Sequence, residues 1–328
     1  MKRPKNLFVN LFLPLLVIII FGANFIFLKN KHETKLLLRK IGLWEKHSSC
    51  FDVSIFGNLA FTADGPFGFS MYDIQNVQNI KLIDFYPTRR LARGIIVADS
   101  CIYISDDKAG LSVYRLTREN GIKTVNSYST MGLAREIAMR DSLLFVANGF
   151  AGFCIFRIHP SGVPEIIGKA DTPGTAMRIV IQDTFACVAD YQGGVVIFNI
   201  AYLSNPKMVS QIPTKNNSHD VAVKENMVFI ADGTAGLQIY DIADIKRPLF
   251  HSSIAAEDNF NAIKIVGNTV YITDGSAGLK VFKILDDGKS LSEQVRIALN
   301  ARSYALEVRD HLVLVATRNG LKPLILDL

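Results

Sequence analysis

Apolar and polar residues alternate in short runs along this chain, and the runs come in pairs separated by a tight polar turn. Val228 and Ile230 alternate with Phe229 and Ala231, the turn Asp232 to Gly236 follows, and Leu237, Ile239 and Ile242 continue beyond it. Period-two alternation on both sides of a short glycine-containing loop predicts a β-hairpin. The aspartate suits the loop because its carboxylate accepts backbone N–H groups, and the glycine suits a position with positive φ. A further run precedes the hairpin, as at 93–97, 135–139 and 219–223. Another follows it, as at 123–128 and 206–210.

This unit repeats. A glycine returns every 42 residues, at Gly68, Gly110, Gly152, Gly194, Gly236, Gly278 and Gly320. Four residues before it stand Asp64, Asp106, Asn148, Asp190, Asp232 and Asp274, and one residue after it an apolar side chain from Phe69 to Leu321. Four short strands in such a unit make one propeller blade. The last copy ends on its third strand, 321–328, and the missing fourth has a candidate at 37–44, 42 residues before the fourth strand at 80–86. Residues 35–328 number 294, seven whole units. The prediction is an all-β, seven-bladed β-propeller of four-stranded repeats, closed by an N-terminal strand and preceded by one transmembrane helix. Closure removes free sheet edges. An open β-solenoid has shorter coils and needs no such terminal strand. Two copies depart from the pattern: the seventh is one residue short in its turn and lacks the aspartate, and the first carries Pro66.

The chain thus divides into residues 1–34, a membrane anchor and linker, and 35–328, the propeller. Residues 7–28 carry no charge and follow Lys2, Arg3 and Lys5. That length spans a bilayer and exceeds a usual secretory apolar region, and no small-x-small cleavage site follows. An uncleaved signal-anchor is expected, with a cleaved signal peptide as the alternative. Positive residues flank both sides, so orientation rests on the very short N-terminal tail, which favours an extracytoplasmic, single-pass protein. The whole chain carries a net charge of +6, but residues 1–35 hold +5 of it and the rest only +1. A near-neutral propeller excludes a phosphate-tracking surface, so no nucleic-acid partner is expected.

Local motifs are few. Cys50, Cys101, Cys154 and Cys187 occupy different places in the repeat and read as buried free thiols. No nucleophile elbow, zinc spacing or phosphate loop occurs, and one aspartate per turn supplies too few oxygens for calcium. No metal and no cofactor are therefore expected, and no catalytic residue is assigned.

Function in a propeller is written where equivalent positions differ between blades. One column at the start of the innermost strands reads Phe51, Arg93, Arg135, Met177, His219, Asn261 and then Ser303 or Tyr304. The next reads Asp52, Gly94, Glu136, Arg178, Asp220 and Ala262. These columns surround the mouth of the central channel, so Arg93, Arg135, Glu136, Arg178, His219, Asp220 and Asn261 form the candidate ligand-binding set. Arginines offer planar, multidentate donation, and His219 beside Asp220 offers a proton relay. The competing reading is a ring of solvated or mutually paired polar residues.

The repeats YISDDKAGLSVYRL (103–116), FIADGTAGLQIYDI (229–242) and YITDGSAGLKVFKI (271–284) resemble the LVIVD-repeat proteins, a β-propeller family with units of the form YVADGxxGLxIIDI. The resemblance covers everything after the N-terminal segment. It implies the propeller fold and a bacterial cell-surface location, and no particular reaction. The aspartate after the third strand is kept at Asp73 and Asp241 but replaced by Arg115, Arg157, Asn199 and Lys283, so it forms no acidic ring. Three roles stay open: a non-catalytic module binding a protein or glycan of the cell envelope, an extracytoplasmic hydrolase or lyase with its site at the channel mouth, and a rigid spacer in a larger envelope complex. Oligomeric state is not legible.

Overall fold

A computed structural model describes residues 37–40, 49–117 and 121–327. They form 28 strands arranged as seven antiparallel four-stranded sheets. In six sheets the strands follow chain order outward from the axis. The seventh joins both ends of the chain, with Ser303–Arg309, Leu312–Thr317 and Gly320–Asp327 followed by Leu37–Lys40 at the rim. Leu37 lies opposite Asp327 and Lys40 opposite Leu324, so the N-terminal strand closes the ring. The closing strand covers 37–40 of the predicted 37–44; residues 41–48 lie outside the described residues, as does the predicted span 7–28. Among the described residues no helix is long and apolar enough to cross a membrane.

The repeated hydrophobic residues pack between blades. Each pair of neighbours encloses its own cluster, such as Phe61, Phe69 and Met71 of blade 1 against Ile95, Ile102 and Ile104 of blade 2. Leu312, Leu314 and Leu321 of blade 7 meet Val53, Ile74 and Ile80 of blade 1 in the same way. Truncating a fully buried phenylalanine such as Phe145 or Phe229 to alanine costs about 3–5 kcal/mol. The four cysteines are buried free thiols within these layers, and burial pushes Cys154 up to about 11 and Cys187 up to about 12.

The repeated Asp and Gly shape one face. Gly236 sits at φ +85°, and a Cβ there would lie 2.1 Å from the Ile254 carbonyl oxygen, so backbone conformation and close approach both demand glycine. The Asp232 N–H donates to Gly236 O (2.8 Å), closing the hairpin turn. Its buried carboxylate, however, reaches out of its own loop and accepts from Lys215 N (2.9 Å) and Asn216 N (3.2 Å) in the incoming link. Asp106 does the same for Arg89 N and Arg90 N, and Asp274 for Glu257 N, Asp258 N and Asn259 N. Single bridges such as Gly65 to Ala92 and Asp107 to Ala134 fasten the turns of blades 1 to 5 to the outgoing links. Turns and links therefore form one continuous top face around the channel mouth.

Candidate functional site

The innermost strands begin at Asp52, Gly94, Glu136, Arg178, Asp220, Phe260 and Ser303, so the first variable column stands where each link turns down into its blade. Phe51, Arg93, Arg135, Met177, His219, Asn261 and Tyr304 ring one opening there, and with Glu136, Arg178 and Arg302 they enclose about 220 Å³. Blade 7 contributes Tyr304 because of a bulge. Ser303 pairs with Thr317 and Ala305 with Ala316, which leaves Tyr304 as the extra residue, as Asn261 is in blade 6. Ser303 is buried and its hydroxyl donates to Gly275 O (2.9 Å).

The wall of the mouth is aromatic and cationic. Phe51 and Tyr304 stack at 5.3 Å between centroids, with the Arg93 guanidinium 4.9 Å from the Phe51 ring and that of Arg302 6.0 Å from Tyr304. Each ring thus has a guanidinium within cation–π reach. Arg93 Nε and Arg135 Nε are buried and have no hydrogen-bond partner among the described residues. Burial and the charge of Arg135 hold the Arg93 guanidinium below its usual range. His219 packs edge-on against Tyr191 (5.4 Å). Burial, Arg302 and Arg178 push it down to about 4, so the imidazole is neutral at pH 7.

Below the mouth lies a second cavity of about 340 Å³, the channel itself, lined by the inner strands. Three carboxylates there stitch neighbouring blades: Ile95 N donates to Asp52 Oδ2 (3.0 Å), Ile179 N to Glu136 Oε2 (3.2 Å) and Ile263 N to Asp220 Oδ2 (2.9 Å). Arg178 hangs among them, its Nε 3.7 Å from Asp220 Oδ2 and its terminal nitrogen donating to Tyr304 O at 3.5 Å. Burial opposes its charge, but Asp220, Asp52 and Glu136 outweigh burial and raise its pKa above the usual range. Burial raises all three acids, only partly offset by Arg178, and Glu136 reaches about 8. Arg178 and Glu136 line both cavities and make the floor of the mouth.

Six of the seven candidates line the mouth; Asp220 does not. One step further along its strand, it lines the channel with its oxygens engaged by Ile263 N, Val221 N and Arg178. Among the described residues no hydrogen bond joins it to His219. Asn261 is committed as well, its amide donating to Ser303 O (2.9 Å) across the blade 6–7 interface. The candidate set omits Arg302, which stands two residues before Tyr304 where other links carry Leu91, Leu133, Thr175, Asn217 and Asn259. That column, compared blade by blade, is the signal that finds it.

The model of the LVIVD repeat matches residues 173–214 and 216–255. The chain carries LVIVD repeats. The two matched LVIVD units bring Met177, Arg178, His219 and Asp220 to the channel. No curated protein matches the chain. Among solved structures, a streptogramin B lyase is similar at 13% identity and TM-score 0.69, covering 89% of this chain and 98% of its own. The RRP9 WD40 repeats are similar at 9% and 0.71, covering 88% and 97%. A Lactobacillus plantarum protein is similar at 9% and 0.66, covering 76% and 85%. At these identities the likeness is one of fold.

Proposed function

We propose that this protein is a non-catalytic binding module, anchored in the membrane by residues 7–28 with its propeller on the extracytoplasmic side, that holds an anionic group of a protein or glycan partner in the channel mouth. The observation that carries this reading is the pair of buried, unpartnered guanidinium nitrogens, Arg93 Nε and Arg135 Nε. A buried donor left unsatisfied costs about 1–3 kcal/mol, and a carboxylate, sulfate or phosphate entering the mouth meets the two guanidinium groups that carry these nitrogens with charge-assisted bonds. Arg178 supports this less, since three carboxylates already surround it. The uncharged stretch 7–28 and the cell-surface habit of LVIVD-repeat proteins support the location. The hydrolase or lyase reading is supported less, because no hydrogen bond among the described residues joins His219 to Asp220 and His219, held down to about 4, is a weak base.

The test is affinity capture from envelope extract with the full chain in detergent, wild type against Arg93→Ala/Arg135→Ala. A partner lost only by the folded variant supports the mouth as the binding site. Identical partners for both proteins contradict it.

A further inference from the structure

The top face is not uniform. The link from blade 1 to blade 2 carries Arg89, Arg90 and Arg93, and the next turn carries Lys108, whereas the link into blade 6 carries Glu257 and Asp258. Arg89, Arg90 and Lys108 are exposed and line a groove of about 500 Å³ with Leu91 and Asp107. None of the three cations forms an ion pair among the described residues. Asp107 influences Arg93 electrostatically, so the groove and the mouth adjoin.

Large apolar side chains flank this groove on the same face. Phe67 projects from the turn of blade 1 (56% exposed), Met131 from the link between blades 2 and 3 (66%) and Phe150 from the turn of blade 3 (73%). Hydrogen bonds, most of them between backbone groups, hold them in one arc. The Gly65–Ala92 bridge ties the first turn to the basic link, Asp106 ties that link to the second turn, the Asp107–Ala134 bridge continues to the next link, and Leu133 N donates to Asn148 O of the third turn. Met131 sits at φ +60°, where asparagine or glycine is at home and a bulky residue is strained. Strain that presents an exposed apolar side chain beside a basic groove points to a contact made outside the chain.

Resting on the reading of the mouth as an anion site, we infer that the arc from blade 1 to blade 3 docks an acidic segment of a protein partner that also carries bulky apolar residues. One acidic group enters the mouth at Arg93 and Arg135, further acidic groups lie on Arg89, Arg90 and Lys108, and apolar side chains pack on Met131 and Phe150. A peptide fits better than an acidic glycan. The exposed groups of the arc pair cations with bulky side chains that include the aliphatic Met131, and a peptide supplies both acidic and bulky apolar partners, whereas an acidic glycan supplies no apolar side chains.

The probes are a fluorescein-labelled peptide alternating glutamate pairs with phenylalanine, an oligoglutamate of equal length and an oligogalacturonate, titrated against the full chain in detergent by fluorescence anisotropy. Three variants accompany wild type: Arg93→Ala/Arg135→Ala at the mouth, Arg89→Ala/Arg90→Ala/Lys108→Ala in the groove, and Met131→Asn/Phe150→Ser on the apolar arc. All groove and arc positions are exposed, and asparagine accepts the backbone of residue 131, so thermal melts are expected to match wild type. The glutamate–phenylalanine peptide is expected to bind, about tenfold more weakly to the groove variant with a reduced salt slope. The apolar variant is expected to lose about tenfold with the salt slope unchanged. Binding weakened by the mouth variant alone overturns the arc and leaves the mouth reading standing. Oligoglutamate binding as tightly as the mixed peptide, or oligogalacturonate binding more tightly, overturns the acidic–apolar partner. Binding of no probe, or binding indifferent to the mouth variant, overturns both.

Discussion

Glu136 offers a quantitative check on the electrostatics of the mouth. It lies on the floor between mouth and channel, accepts from Ile179 N, and faces Arg178, Asp52 and Asp220. Burial raises it from 4.5 to about 8, with Arg178 pulling the other way and the two aspartates adding to the rise. A folded pKa above the unfolded one means that the native state keeps a proton which the unfolded chain releases. Stability contributed by Glu136 is therefore full below about pH 4.5 and falls as pH rises toward about 8. At 1.36 kcal/mol per pKa unit the fall is at most about 5 kcal/mol. Residual exposure to the channel screens this to about 2–3 kcal/mol. Glu136→Gln keeps an acceptor for Ile179 N and removes the titration. Urea midpoints followed by far-ultraviolet circular dichroism from about pH 5 to about pH 9 isolate the effect as the difference between variant and wild type, since Asp52 and Asp220 titrate in both. The variant is expected to gain on wild type steadily between about pH 5 and about pH 8. A difference that stays constant across that window refutes the reasoning. The same titration bears on binding: ionised Glu136 competes for the mouth arginines, so anion affinity is expected to drop above about pH 8 in wild type and not in the variant.

Asp274→Ala removes a fully buried carboxylate that accepts three link N–H groups and pairs with buried Lys280 at 2.8 Å; it is expected to cost about 3–5 kcal/mol. Lys280→Gln, which copies Gln238 of blade 5, is expected to cost about 1 kcal/mol; equal losses in urea denaturation count against the link hydrogen bonds as the larger part of the Asp274 contribution. Gly236→Ala meets the Ile254 carbonyl and is expected to cost at least about 2 kcal/mol, whereas Gly267→Ala, at φ +57° with nothing within 4 Å, is expected to cost about 1 kcal/mol; similar melting temperatures for the two contradict the close-approach argument. Deleting Leu37–Lys40 leaves Gly320–Asp327 as an open edge, and concentration-dependent association on size exclusion is the expected result; a stable monomer with wild-type melting is the contrary one.

The fold was legible because the repeat overdetermines it. The 42-residue spacing fixes the blade, and the incomplete last copy announces the closing strand 37–40. What the repeated aspartate does was only half legible. A turn needs an acceptor, but that Asp232 serves the link at Lys215 and Asn216 depends on two segments meeting in space. The mouth column was legible to within one residue, and the uncertainty fell at Tyr304 because a bulge shifts register without any local sign. The second column holds at Glu136 and Arg178, which line both cavities, and differs at Asp220, which lines the channel with its oxygens engaged by neighbours that come from other blades as well as its own. Arg93 and Arg135 being unpartnered is invisible in sequence, because partners come from other blades.

The alternation of channel acids has a further consequence, which is one of parity. Asp52, Glu136 and Asp220 sit on blades 1, 3 and 5 and stitch each to its successor. A rule that engages every second interface closes on an even ring, and this ring has seven members. The mismatch falls on the two interfaces flanking blade 7, where bulges at Asn261 and Tyr304 interrupt the register and other contacts take over: Asn261 to Ser303, Lys264 to Glu307, Phe51 on Tyr304. The ring's odd count thus places a seam where the two chain ends already meet, and the aromatic wall of the mouth is built across it.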